Sequence, residues 1–125
     1  MFKILMIINV VLTLPFAVGA LIMPARVFVD FGVALNAGGE LVARGYAATL
    51  VGFGLALLLL RKAEDRSTQR SLLLATLAFN LIECVIQFIA GREGITNNRI
   101  WITTSAHGIV SLITVYAMVS YSKKR

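Results

Sequence analysis

Ser71 to Ala90 reads SLLLATLAFNLIECVIQFIA, an apolar run carrying one charge, Glu83. Roughly 20 such residues are what an α-helix needs to cross the hydrocarbon core of a bilayer. The polar residues inside it are ordered: Thr76, Asn80, Glu83 and Gln87 follow one another at spacings of four, three and four. Those spacings put all four side chains on one helical face. A carboxylate in hydrocarbon costs at least ~2.5 kcal/mol even on lenient insertion scales, so Glu83 should face protein, a partner charge or water. The stretch predicts a membrane helix with an inward polar stripe, and Glu83 is its first pointer to function.

Three more stretches meet the same length rule: about Ile4 to Met23, Leu41 to Leu60 and Ile100 to Tyr121. The chain has 125 residues, is 58% hydrophobic and only 14% charged, and has a mean hydropathy of +0.85. A soluble domain of this size is far less apolar. The expected fold is therefore all-α: one four-helix transmembrane bundle in an antiparallel up-down order, spanning the chain as a single domain. Short connectors support the antiparallel order. Arg61 to Arg70 (RKAEDRSTQR) reads as a charged solvent hairpin, and Gly91 to Asn98 (GREGITNN) as a second.

The net charge of +6 would suggest nucleic acid in a soluble protein, but these cations flank apolar segments, and no nucleic-acid partner is expected. Lys3, Arg61, Lys62, Arg66, Arg70, Lys123, Lys124 and Arg125 share one side, against Arg26, Arg44, Arg92 and Arg99 on the other. The excess of positive charge marks the first side, with both termini, as cytoplasmic and argues against dual topology. Lys3, the apolar stretch after it and Val18-Gly19-Ala20 also resemble a secretory signal with a small-residue cleavage site. Three further spans allow the segment to serve as an anchor instead.

Pro24 to Glu40 (PARVFVDFGVALNAGGE) is too long for a tight hairpin and too apolar for a free loop. It is expected to lie in the interface or fold back over the bundle mouth, with a short helix from about Ala25 to Phe31 and a turn at Asn36 to Gly39. Pro15 would kink helix one, and Pro24 would end it. Ala48, Gly52 and Ala56, joined by Gly45 and Gly54, form a small-residue ridge read as internal packing. Trp101 and Tyr121, near opposite ends of helix four, read as interfacial anchors, and Asn9 with Thr13 as a weak hydrogen-bonding pair.

Helix four answers the Glu83 stripe with Thr104, His107, Ser111 and Thr114, spaced three, four and three. Counted inward from the Gly91 hairpin, Glu83 and His107 are each about eight residues deep, roughly 12 Å by helical rise. They share a level and would come within reach of each other. Arg44 enters helix two from the same side, and its long guanidinium would reach Glu83 or snorkel outward. One reading makes Arg44 and Glu83 a buried structural pair, with His107 and the hydroxyls bonding the helices together. The other makes Glu83 and His107 an acid/base pair at the end of a cavity open to lipid or the outer face.

A single histidine, a single cysteine (Cys84) and the lack of HExxH, Cys-x-x-Cys or a glycine-rich phosphate loop give no basis for a metal site or cofactor.

The stretch Phe31 to Leu60 (FGVALNAGGELVARGYAATLVGFGLALLLL) resembles a recurrent pattern in small bacterial membrane proteins of unknown function. In that pattern an apolar connector leads into a span beginning Leu-x-x-Arg-x-Tyr/Phe, followed by spaced glycines. The layout is also similar to the DoxX-like four-helix families. The resemblance implies a four-helix bundle in a bacterial inner membrane and transfers no activity. The expected function is binding of a lipophilic ligand or partner subunit, including a second copy of the chain. Arg44, Asn80, Glu83, Gln87, Thr104, His107 and Ser111 are expected to line or brace the site. The alternatives are an enzyme using Glu83 and His107 on a quinone- or isoprenoid-like substrate, and a proton-coupled transporter.

Overall fold

The computed structural model describes residues 1–122. Lys123, Lys124 and Arg125, three of the cations counted above, lie outside the described residues, as does the side chain of Tyr121. The chain is helical throughout, with no strand among the described residues: α1 (Phe2–Ile22), α2 (Pro24–Val29), α3 (Ala37–Leu60), α4 (Arg66–Arg92) and α5 (Ile100–Ser122). α1, α3, α4 and α5 are each long and apolar enough to cross a membrane. By that measure the chain is a multi-pass membrane protein.

The helices outrun the apolar windows because their ends are polar and capped. Helix α4 starts at Arg66, inside the stretch read as a hairpin, because Asp65 accepts a hydrogen bond from the Thr68 backbone N–H (2.7 Å). That bond holds the exposed Asp65 carboxyl below its ordinary range. Likewise Asn36 accepts from the Gly39 N–H (2.8 Å), so the residues expected to form a turn are the first turn of α3. Pro24 acts as foreseen: Met23 closes α1 and Pro24 opens α2, where its missing N–H is no loss. Helix α1 runs on through Pro15.

Helix α1 packs chiefly against α3, and α4 against α5. Two glycines mark where backbones come closest. A Cβ on Gly54 would stand 2.5 Å from Leu14, and one on Gly91 would stand 2.8 Å from the Trp101 ring. Trp101 therefore sits in an interhelical joint, edge-on to Phe88 at 5.7 Å between centroids, which is more than the interfacial anchor expected of it. The small-residue ridge is a correction. Gly45, Ala48 and Gly52 are exposed, and a Cβ on either glycine would meet nothing within 4 Å. The inward face of α3 is instead Ala43, Ala47, Leu50, Gly54 and Leu57.

Three levels stack along the bundle. At the end holding the start of α1 is the apolar core of Phe2, Leu5, Met6, Leu57, Leu73 and Ala117. Above it lies a buried polar belt that includes Asn9, Thr13, Thr76 and Asn80. Beyond the belt the helices open around a cavity. The outside of α4 is apolar, with Leu81, Ile82, Val85, Ile86, Phe88 and Ile89 exposed, as lipid contact requires.

Candidate functional site

The cavity measures about 620 Å³, within the range of ~300–1,000 Å³ typical of small-molecule sites. Helix α1 supplies Leu12, Thr13 and Phe16, α3 supplies Ala43, Tyr46 and Leu50, α4 supplies Phe79, Glu83 and Gln87, and α5 supplies Thr103 and His107. Phe28, Phe31, Val33 and Leu35 line it from α2 and the connector, so the segment expected near the bundle mouth contributes to the wall. Phe16 holds both connector rings edge-on, with centroids 6.0 Å from Phe28 and 6.3 Å from Phe31.

The connector is clasped from the far side by the loop between α4 and α5. Asn97 donates its backbone N–H to the Phe31 carbonyl (2.7 Å) and its side-chain amide to the Asp30 carbonyl (2.9 Å). Gly32 makes the clasp possible: its φ is +82°, and a Cβ there would stand 3.2 Å from the Asn97 nitrogen. Arg99 and Asp30 add an exposed ion pair at 3.6 Å, of the kind that contributes little.

Inside the cavity the Tyr46 hydroxyl donates to Glu83 Oε1 at 2.6 Å, and the Gln87 amide donates to Glu83 Oε2 at 3.1 Å. Arg44 does not join them. It pairs with Glu40, one turn earlier on its own helix, at 3.2 Å and half exposed. Of the two courses open to Arg44, reaching Glu83 or turning outward, the structure has the second, and Glu83 sits in a Tyr46–Glu83–Gln87 cluster. The reason lies in helical phase: Tyr46 is three residues from Ala43 and four from Leu50, on the buried face, whereas Arg44 shares a stripe with Glu40 and Ala48. That phase was the available signal for Tyr46, which the weight given to formal charge obscured.

His107 faces the same cavity, and its fixed partner is Asn80. A chain of amides runs across the bundle: Asn9 donates to the Leu5 carbonyl (2.9 Å), Asn80 donates to Asn9 Oδ1 (2.8 Å) and to the Thr76 carbonyl (2.8 Å), and Asn80 Oδ1 meets His107 Nδ1 at 2.8 Å. Because the Asn80 nitrogen is spent on two acceptors, its oxygen must face the imidazole, and an amide oxygen only accepts. The proton is therefore assigned to Nδ1. Nε2 takes no hydrogen bond among the described residues. Phe79 lies edge-on to the imidazole (5.8 Å) and packs against Phe53 of α3 (5.0 Å).

Thr104 and Ser111 are buried, but each hydroxyl donates to the carbonyl four residues back, Ile100 (2.8 Å) and His107 (2.8 Å). They satisfy themselves within α5 and do not bond another helix. Cys84 lies at the α4–α5 joint, its Sγ 3.7 Å from the Thr104 carbonyl. Two buried oxygens in the cavity wall have no hydrogen-bond partner among the described residues, Gln87 Oε1 and Thr96 Oγ1. Nothing in the sequence pattern singled out Thr96. No group of three or more His, Cys, Asp or Glu suited to a metal ion comes together among the described residues.

Fold and site together define a small four-helix membrane bundle with an apolar, aromatic-walled cavity and one hydrogen-bonded carboxylate inside it. Compared with protein-family models, curated proteins and solved structures, the chain matches none. No family is shown for it, and the likeness to DoxX-like families rests on layout alone.

Proposed function

We propose that this protein binds a lipophilic small molecule in the cavity, with Glu83, held by Tyr46 and Gln87, as the polar anchor. The observation that carries the reading is the combination in one space: about 620 Å³ walled by Phe16, Phe28, Phe31, Tyr46 and Phe79, with Glu83 and His107 on its lining. Apolar walls with a few convergent polar groups are the usual form of a ligand site. An ionisable side chain at membrane depth is costly enough to favour a functional reading.

The reading extends to topology. Both termini lie on the cytoplasmic side of a bacterial inner membrane, in keeping with the cation asymmetry, and successive spans alternate in direction. The joints Gly91–Trp101, Cys84–Thr104 and Asn80–His107 support that alternation for α4 and α5. The cavity then opens towards the outer half of the bilayer.

A second reading is favoured by one observation, that Glu83 and His107 line the same space. It makes the protein an enzyme doing acid/base chemistry on a bound isoprenoid- or quinone-like substrate.

Native mass spectrometry of protein extracted gently from its own membrane tests the ligand reading. The wild type should carry a small molecule that Glu83→Gln loses. A wild type that comes away empty, or with only another polypeptide, would overturn it. Chemical change in the bound molecule over time would favour the enzyme.

A further inference from the structure

We infer that the cavity is built for a lipophilic cation, an apolar and preferably aromatic body carrying a protonated amine; the inference rests on the ligand reading above. It comes from counting which polar partners the cavity has spare. Glu83 brings a carboxylate, and no Lys or Arg lines the cavity. The two ion pairs among the described residues, Arg44–Glu40 and Arg99–Asp30, do not involve Glu83. Tyr46 and Gln87 satisfy the carboxylate oxygens with one donor each, but they bring no positive charge. The site therefore holds an acid function without a counter-ion in a low-dielectric setting, where a paired charge is strongly preferred over a lone one.

The remaining free atoms point the same way. Gln87 Oε1, an acceptor only, is buried and unpartnered, and the unpartnered Thr96 hydroxyl can accept as well as donate. His107 has its Nδ1 proton committed to Asn80, which leaves neutral Nε2 as an acceptor. The Tyr46 hydroxyl proton is already spent on Glu83. What the cavity lacks is positive charge, and an alkylammonium supplies it together with N–H donors for the free acceptors. A neutral ligand such as a quinone would bring no positive charge to Glu83.

The walls suit a cation as well. Phe16, Phe28, Phe31, Tyr46 and Phe79 surround the space, and ring faces attract cations, ammonium groups especially when desolvated. The long apolar wall on either side accepts the rest of the molecule.

Three probes with one aromatic body separate the possibilities: naphthylethylamine, naphthylethanol and naphthylacetate, titrated at neutral pH into the full-length protein in nanodiscs. The amine should bind roughly tenfold or more tightly than the alcohol, and the acid least, as a charge-assisted contact to Glu83 requires. In Glu83→Gln, which keeps an acceptor for Tyr46, the amine-to-alcohol preference should collapse towards unity while the alcohol still binds. Alcohol or acid binding as tightly as the amine would overturn the cation inference and leave the ligand reading standing, as would an unchanged preference in Glu83→Gln. Failure of all three to bind the wild type would count against both. Should Glu83→Gln not fold, the wild-type order of the three probes decides by itself.

Discussion

Asn80 donates to Asn9 and to Thr76 while its oxygen faces His107, so its loss would strip three groups of a partner at once. It is 1% exposed, out of reach of any substitute water. Leaving a buried donor or acceptor unpaired costs about 1–3 kcal/mol per group. Asn80→Leu should therefore destabilise the bundle by about 2–4 kcal/mol, read as a fall in thermal midpoint in detergent. Asn9→Leu combined with Asn80→Leu should cost less than the sum of the two single changes, because Asn80→Leu removes the N–H donor that Asn9→Leu has orphaned. Additivity would show that the amide chain is not a coupled unit. At this scale the sequence was informative about which polar residues face inward, since spacing alone selected Asn80, which is buried, and Glu83, Gln87 and His107, which line the cavity. It was silent on who bonds to whom. Pairing depends on side-chain reach and rotamer, which is why the charge-based guess of Arg44 for Glu83 gave way to Tyr46.

Each helix pair is set by where small residues allow close approach, and the outward glycines of α3 provide an internal control. A Cβ on Gly54 would lie 2.5 Å and 2.7 Å from Leu14 atoms, whereas one on Gly52, two residues earlier, would touch nothing. Gly54→Ala should lower stability by about 1–3 kcal/mol through forced repacking of Leu14. Gly52→Ala should stay within about 0.5 kcal/mol of wild type. Thermal midpoints of the two variants in one detergent check this, and equal midpoints would mean that α1 and α3 do not meet at Gly54. Both glycines look alike in the sequence. Only the phase of α3 relative to α1 separates them, and that phase follows the larger buried side chains Leu50 and Leu57 rather than the every-fourth-residue repeat of small ones. Caps act at the same scale: Asp65 extends α4 into a segment whose charge marks it as a hairpin, and Asn36 extends α3 into one whose asparagine and glycines mark it as a turn.

Over the whole molecule, one end is closed by a packed core and the other surrounds the cavity, walled in part by a connector that the α4–α5 loop clasps. Gly32 is where that clasp is most sensitive, because its backbone is left-handed and a Cβ would also press on Asn97. Gly94 has a similar φ of +71° with open space around it. Gly32→Ala should therefore speed hydrogen exchange across residues 28–36 and weaken ligand retention, with exchange in α1 and α4 unchanged. Gly94→Ala should leave that segment protected. Uniform exchange across the two variants would remove the connector from the cavity's architecture. Composition and run lengths by themselves determined that the chain is all-helical with four membrane-length segments, because a bilayer admits few other arrangements of so apolar a backbone. Helical period determined that Glu83 and His107 stand on polar stripes. Tertiary structure alone decided the rest: that α3 and α4 stand apart far enough to enclose a cavity, that Phe28 and Phe31 wall it, and that Tyr46 and Gln87 hold the carboxylate. Those outcomes depend on contacts between residues distant in the chain, where the shapes of whole side chains meet, and a one-dimensional pattern of polarity carries no record of shape.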